Sequence, residues 1–70
     1  MGDTFHWLDV ERIAEELFDR FPGEDPITIA FPRLKSMVEG LDGFEEQDGH
    51  PCNERILEAI QAGWISERED

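Results

Sequence analysis

Apolar residues recur along this chain with two different periods. From Val10 the positions Ile13, Ala14, Leu17, Phe18 and Phe21 follow at steps of three and four, the spacing that turns one stripe of an α-helix toward a core. Asp9 stands at the natural N-cap, where a carboxylate accepts the free N–H groups of a first turn. Leu8 before it and Ile13 at the fourth helical position can close a hydrophobic staple, and Pro22-Gly23 ends the element. After a turn at Asp25-Pro26 the period changes to two: Ile27, Ile29 and Phe31 alternate with Thr28 and Ala30, which predicts a short half-buried strand. Pro32 lacks an N–H and has a preset φ, so it suits the first position of a second helix carrying Leu34, Met37, Val38 and Leu41. Gly40 and Gly43 mark its frayed end.

From Asp42 to Pro51 the chain is polar around one aromatic, Phe44, and reads as a loop pinned by that ring. A third helix is predicted from about Asn53, with Ile56, Leu57, Ile60 and Trp64 on one face and Ser66 to Asp70 as a frayed acidic tail. The expected fold is mainly α: one small winged-helix-like domain over residues 1–70, in the order helix, short strand, helix, helix, with frayed termini at about 1–5 and 67–70. Such folds commonly read DNA with their last helix, but the positions expected to be exposed there are Glu54, Arg55, Glu58, Gln61 and Glu67, and an acidic helix repels phosphate.

Charge sharpens that exclusion. Against 18 Asp and Glu the chain sets 6 Lys and Arg, a net charge of −12 over 70 residues. Counterion release from nucleic acid needs clustered basic residues, and anionic membrane surfaces repel such a chain too. The partners that this field favours are basic protein surfaces and metal cations. With 39% hydrophobic content the chain is expected to fold despite its charge. Its single cysteine, Cys52, excludes an internal disulfide and a Cys-rich metal site. The first eight residues have neither a basic start nor an apolar run, so a soluble cytoplasmic protein in a reducing compartment is expected.

Candidate chemistry rests on carboxylates. Glu11, Glu15 and Asp19 stand at i, i+4 and i+8 on the polar side of the first helix, with Glu24 and Asp25 just beyond it. Hard cations, ferrous iron among them, take oxygen ligands of this kind, and a surface stripe holds an ion with several waters retained. A plain solvated helix face is the alternative. Arg12, Glu16 and Arg20 form an adjacent stripe of ordinary surface ion pairs. A second acidic group comprises Asp42, Glu45, Glu46 and Asp48, with Glu54 and Glu58 one turn apart at the start of the third helix. His6 and His50 lie outside the regular elements without a second histidine at ligand spacing, and Glu54 and Asp48 disfavour a thiolate at Cys52. Neither a nucleophilic triad nor a phosphate-binding loop is present, so no enzyme is expected.

Several segments together carry a family likeness. These are Trp7 and Asp9 before Ile13-Ala14-Glu15; Pro22 followed by Asp25-Pro26-Ile27-Thr28-Ile29-Ala30-Phe31; Leu41 and Phe44; and Asn53-Glu54-Arg55-Ile56-Leu57-Glu58-Ala59-Ile60 ending in Trp64. From about Trp7 to Trp64 the chain resembles the small IscX family of iron-sulfur cluster assembly proteins. The resemblance implies a modified winged-helix fold without DNA binding. It also implies an acidic adaptor, a monomer that binds ferrous iron weakly, holds no tight cofactor and docks on a cysteine desulfurase. The docking site is shared with the bacterial frataxin, which makes such a protein a regulator rather than a catalyst. Carried over by position, Asp9, Glu15, Asp19 and Asp25 fall on acidic positions of the family's first half and are, with Glu11 from the helix stripe, the expected metal ligands; Glu45, Glu46, Asp48, Glu54 and Glu58 match the later acidic segment and are the expected partner-binding residues. The chain departs from the family pattern after Phe31, where Pro32-Arg33-Leu34-Lys35-Ser36-Met37 replaces a hydroxyl cap, an Asp-Leu-His run and a tryptophan. The loop before Asn53 is one residue longer, and Cys52 takes the place of a serine cap.

Overall fold

Three amphipathic stretches become three helices in the computed structural model, which describes residues 4–46 and 53–69. They are α1 (Val10–Arg20), α2 (Phe31–Glu39) and α3 (Glu54–Glu69). The main packing is between α1 and α3, with α2 closing the remaining side. Ile13, Ala14 and Leu17 from α1, Leu34 and Val38 from α2, and Leu57, Ile60 and Trp64 from α3 form the buried core, joined by Leu41. Two further core residues, Phe5 and Trp7, come from the irregular segment ahead of α1, and Trp7 is completely buried. Burying each large side chain of this set stabilises by roughly 1.5–3 kcal/mol.

The expected strand is absent. Residues 26–28 form a turn, Ile29 and Ala30 are irregular, and Phe31 already belongs to α2. Two side chains impose this. The Asp25 carboxylate accepts the Ile27 N–H at 2.9 Å, a local bond that bends the chain, and Gln61 Nε2 donates to the Pro26 carbonyl at 2.7 Å, tying the bend onto α3. Pro26 is buried in consequence, while Ile27, expected on the inner face of the strand, is 64% exposed. Among the described residues the β-type pairing is one isolated parallel bridge, Phe5 to Phe44. The mainly helical class therefore holds, but the order is helix, helix, helix.

Helix boundaries differ in detail from the sequence pattern. Asp9 precedes α1 as expected, but its side chain makes no cap bond to the helix; Oδ2 instead accepts the His6 N–H at 3.0 Å, turned back toward the preceding segment. The staple does not form either: Leu8 is 52% exposed, and the neighbouring Trp7 fills the core instead. Phe18, counted on the apolar stripe, is 42% exposed at its margin. Asn53 caps α3, its Oδ1 accepting the Ile56 N–H at 3.0 Å. The last helix runs to Glu69 through the segment expected as a tail, and Arg68 Nη1 bonds Asp25 Oδ1 at 3.2 Å there. Gly43 has a φ of 89°, the left-handed conformation that lets the chain reverse after α2 and bring Phe44 back to Phe5.

Candidate functional site

Glu11, Glu15 and Asp19 are all exposed along α1. Glu11 and Glu15 share a shallow cleft with Ala14 of α1 and with Gly63, Ser66 and Glu67 of α3, so the helix crossing brings a carboxylate from the second helix to the stripe. Glu67 was not among the expected cation ligands, although it lies one turn beyond Gly63, the small residue that lets α3 approach α1. Asp19 does not line this cleft. Asp9 and Asp25 have other occupations: Asp9 faces His6, whose Nε2 is 3.6 Å away, and Asp25 holds Ile27 and Arg68. The five expected iron ligands are thus not gathered at one point, and among the described residues no three His, Cys, Asp or Glu side chains converge as a metal site.

The later acidic segment is built on an aromatic clasp. Phe5 donates its N–H to the Gly43 carbonyl at 3.0 Å, and its own carbonyl accepts the Glu45 N–H at 2.8 Å. Phe44 packs edge-on against Phe5 (centroids 5.9 Å) and against Trp7 (4.8 Å), and Arg12 lies 5.1 Å over the Phe5 ring. Glu46, exposed at the end of this run, accepts the Trp7 indole N–H on Oε2 at 3.2 Å. Asp48, with His50 and Cys52, lies outside the described residues. Glu54 and Glu58 are exposed on the first turns of α3. Glu54 lines a groove with Phe31, Pro32, Lys35, Asn53 and Leu57, so the substituted turn after Phe31 places Lys35 beside one of the acidic residues expected to bind a partner. Arg33 is occupied by Glu24 at 2.7 Å.

Local pairing does little to offset the net charge. Arg12 and Arg20 both bond Glu16, at 3.1 and 3.3 Å, Arg20 also comes within 4.0 Å of Asp42, and Arg33 and Arg68 pair as above. These pairs are exposed and contribute a few tenths of a kcal/mol each at most positions. They leave Glu11, Glu15 and Asp19 on α1, Glu45 after the aromatic clasp, and Glu54 and Glu58 on α3 without an ion pair among the described residues. Exposed carboxylates without an ion pair therefore stand on α1, at Glu45 and on the first turns of α3.

A family model described as iron-sulphur cluster assembly matches residues 5–69, from the first residue of the clasp to the last turn of α3. The chain belongs to the IscX family. This places it in iron-sulphur cluster assembly. A relative from Pseudomonas aeruginosa, the uncharacterized protein PA3808, is 41% identical over 66 residues, covering 94% of this chain and 98% of its own length. The IscX match takes in all three helices together with Phe5, Trp7 and Phe44, so the clasp lies within the family unit. Among the described residues no helix of this IscX-family chain is long and apolar enough to cross a membrane.

Proposed function

We propose that this protein is a non-catalytic acidic adaptor of cluster assembly that docks on the basic surface of a cysteine desulfurase and regulates it. The observation that carries this reading is a net charge of −12 together with exposed carboxylates, Glu11, Glu15 and Asp19 on α1 and Glu45, Glu54 and Glu58 elsewhere, that make no ion pair among the described residues, in a chain of this family. Such a surface attracts a basic partner over distances of about a Debye length, roughly 8–10 Å at ordinary salt. Glu45, Glu46, Glu54 and Glu58 carry the docking, joined by Asp48 as the sequence leads one to expect, and a frataxin-like protein competes for the same desulfurase surface. The protein acts as a cytoplasmic monomer, without nucleic acid or membrane partners.

Ferrous iron binds weakly on the α1 side, where Glu11, Glu15 and Glu67 line one open cleft without converging as a ligand set, so that water keeps most of the coordination positions. Oxygen ligands on an open surface hold divalent ions with little selectivity and lose them when protonated. A second reading, an acidic protein-interaction module with no role for iron, draws support from Asp9 and Asp25, whose carboxylates are engaged by His6 and Arg68. Anaerobic titration of the labelled protein with ferrous iron separates the two. Localised loss of amide signals around Glu11, Glu15 and Glu67 supports the adaptor with iron; uniform or absent changes leave the interaction module.

A further inference from the structure

Trp7 is completely buried, yet the one polar atom of its side chain is bonded to an exposed residue: the indole N–H donates to Glu46 Oε2 across 39 residues of sequence, at 3.2 Å. The ring behind that bond is fixed by Phe44 at 4.8 Å, and Phe44 by Phe5 at 5.9 Å, while backbone bonds of 2.8 and 3.0 Å clamp the two segments together. The donor is therefore a rigid part of the core, and its acceptor is an exposed carboxylate at the end of the acidic run Glu45-Glu46. A carboxylate has two oxygens and about four acceptor sites, so one oxygen held by an indole leaves the other able to accept from a cation.

We propose that Trp7 is a positioning residue for docking: its indole holds Oε2 of Glu46 and thereby presents Oε1, pre-ordered, to a lysine or arginine side chain of a basic protein surface. This rests on the docking reading above and deepens it by naming the carboxylate that anchors the contact and the core residue that orients it. A free surface glutamate loses rotamer freedom when it pairs, whereas Glu46 has lost much of it in the free protein. Pairing at Oε1 draws charge from the carboxylate and changes the hydrogen bond at Oε2, so docking is felt at the Trp7 indole. Among the described residues Trp64, buried in α3, makes no such bond to the acidic run.

The test is an isotope-labelled spectrum of the full chain titrated with purified cysteine desulfurase, together with affinities of Trp7→Phe, Glu46→Gln and the double variant. Trp7→Phe removes the N–H and keeps an aromatic ring, and Glu46→Gln keeps an acceptor without the charge and lies outside the core. The expected result is that the Trp7 indole signal moves while that of Trp64 stays. Affinity should fall roughly 3- to 10-fold for Trp7→Phe, in line with the ordering of one side chain, and Trp7→Phe should have no further effect once Glu46 is Gln. A Trp7 indole signal unmoved at saturation, or a Trp7→Phe effect of the same size in both backgrounds, overturns the positioning role while docking stands. Failure of the parent chain to bind the desulfurase overturns the docking reading and this inference with it.

Discussion

Gly63 of α3 faces Ala14 of α1 so closely that a Cβ added to the glycine would stand 3.1 Å from the Ala14 Cβ. Glycine inside a helix costs about 1 kcal/mol relative to alanine, so its presence here reflects the close crossing of the two helices that form most of the core. Gly63→Val should lower stability by roughly 2–3 kcal/mol through overpacking, a fall in Tm of some 10 °C for a chain of this size. Thermal melting monitored by circular dichroism checks this, and an unchanged Tm would mean that the helices are farther apart than described.

Two tethers hold the Asp25-Pro26 bend to α3, and they differ in strength. Gln61 bonds the carbonyl of buried Pro26 in a partly buried setting, whereas Arg68 meets Asp25 at the surface. Gln61→Ala should cost about 1–2 kcal/mol by leaving a carbonyl poorly satisfied, and Arg68→Ala less than about 0.5 kcal/mol. Urea denaturation of both variants at one pH gives the comparison; equal losses would contradict the assignment of the turn's stability to Gln61.

These two contacts show where the sequence was and was not legible. The helices announced themselves because Ile13, Leu17, Leu34, Val38, Leu57, Ile60 and Trp64 repeat at helical spacing, and burial follows that period. The alternation of Ile27, Ile29 and Phe31 misled, since a period of two becomes a strand only where a neighbouring strand completes its hydrogen bonds. Here Asp25 and Gln61 offer the backbone other partners. Phe5 and Trp7 were hidden by their position ahead of the first helix, where Phe5 makes one isolated bridge and Trp7 lies in a turn, so that no period marks them. Of the candidate sites, the α1 stripe was readable from spacing alone. Glu67 was not, because its place beside Glu15 depends on how α1 and α3 cross, and the Trp7–Glu46 bond depends on a chain reversal at Gly43.

Iron affinity should follow the cleft rather than the stripe. Replacing Glu15 and Glu67 together by Gln should weaken ferrous binding by about tenfold or more, whereas Glu15→Gln with Asp19→Asn should weaken it less, because Asp19 does not line the cleft. Anaerobic calorimetry on both double variants decides it. Equal affinities for both, or for either and the parent, would move any iron site away from the α1–α3 crossing.

The chain carries 18 carboxylates, and among the described residues the ion pairs are exposed and few, so self-repulsion is expected to limit stability. Adding about 0.5 M sodium chloride should raise the Tm by screening that repulsion. A Tm that falls or stays constant with salt would show that the acidic regions are spaced too widely to repel.

The central claim, docking through uncompensated negative charge, is tested most directly by the association rate with purified cysteine desulfurase at two ionic strengths. Between about 50 and 500 mM salt the account predicts a fall in association rate of about tenfold or more with a smaller change in dissociation, since peripheral charges act mainly on encounter. An association rate independent of salt would contradict it.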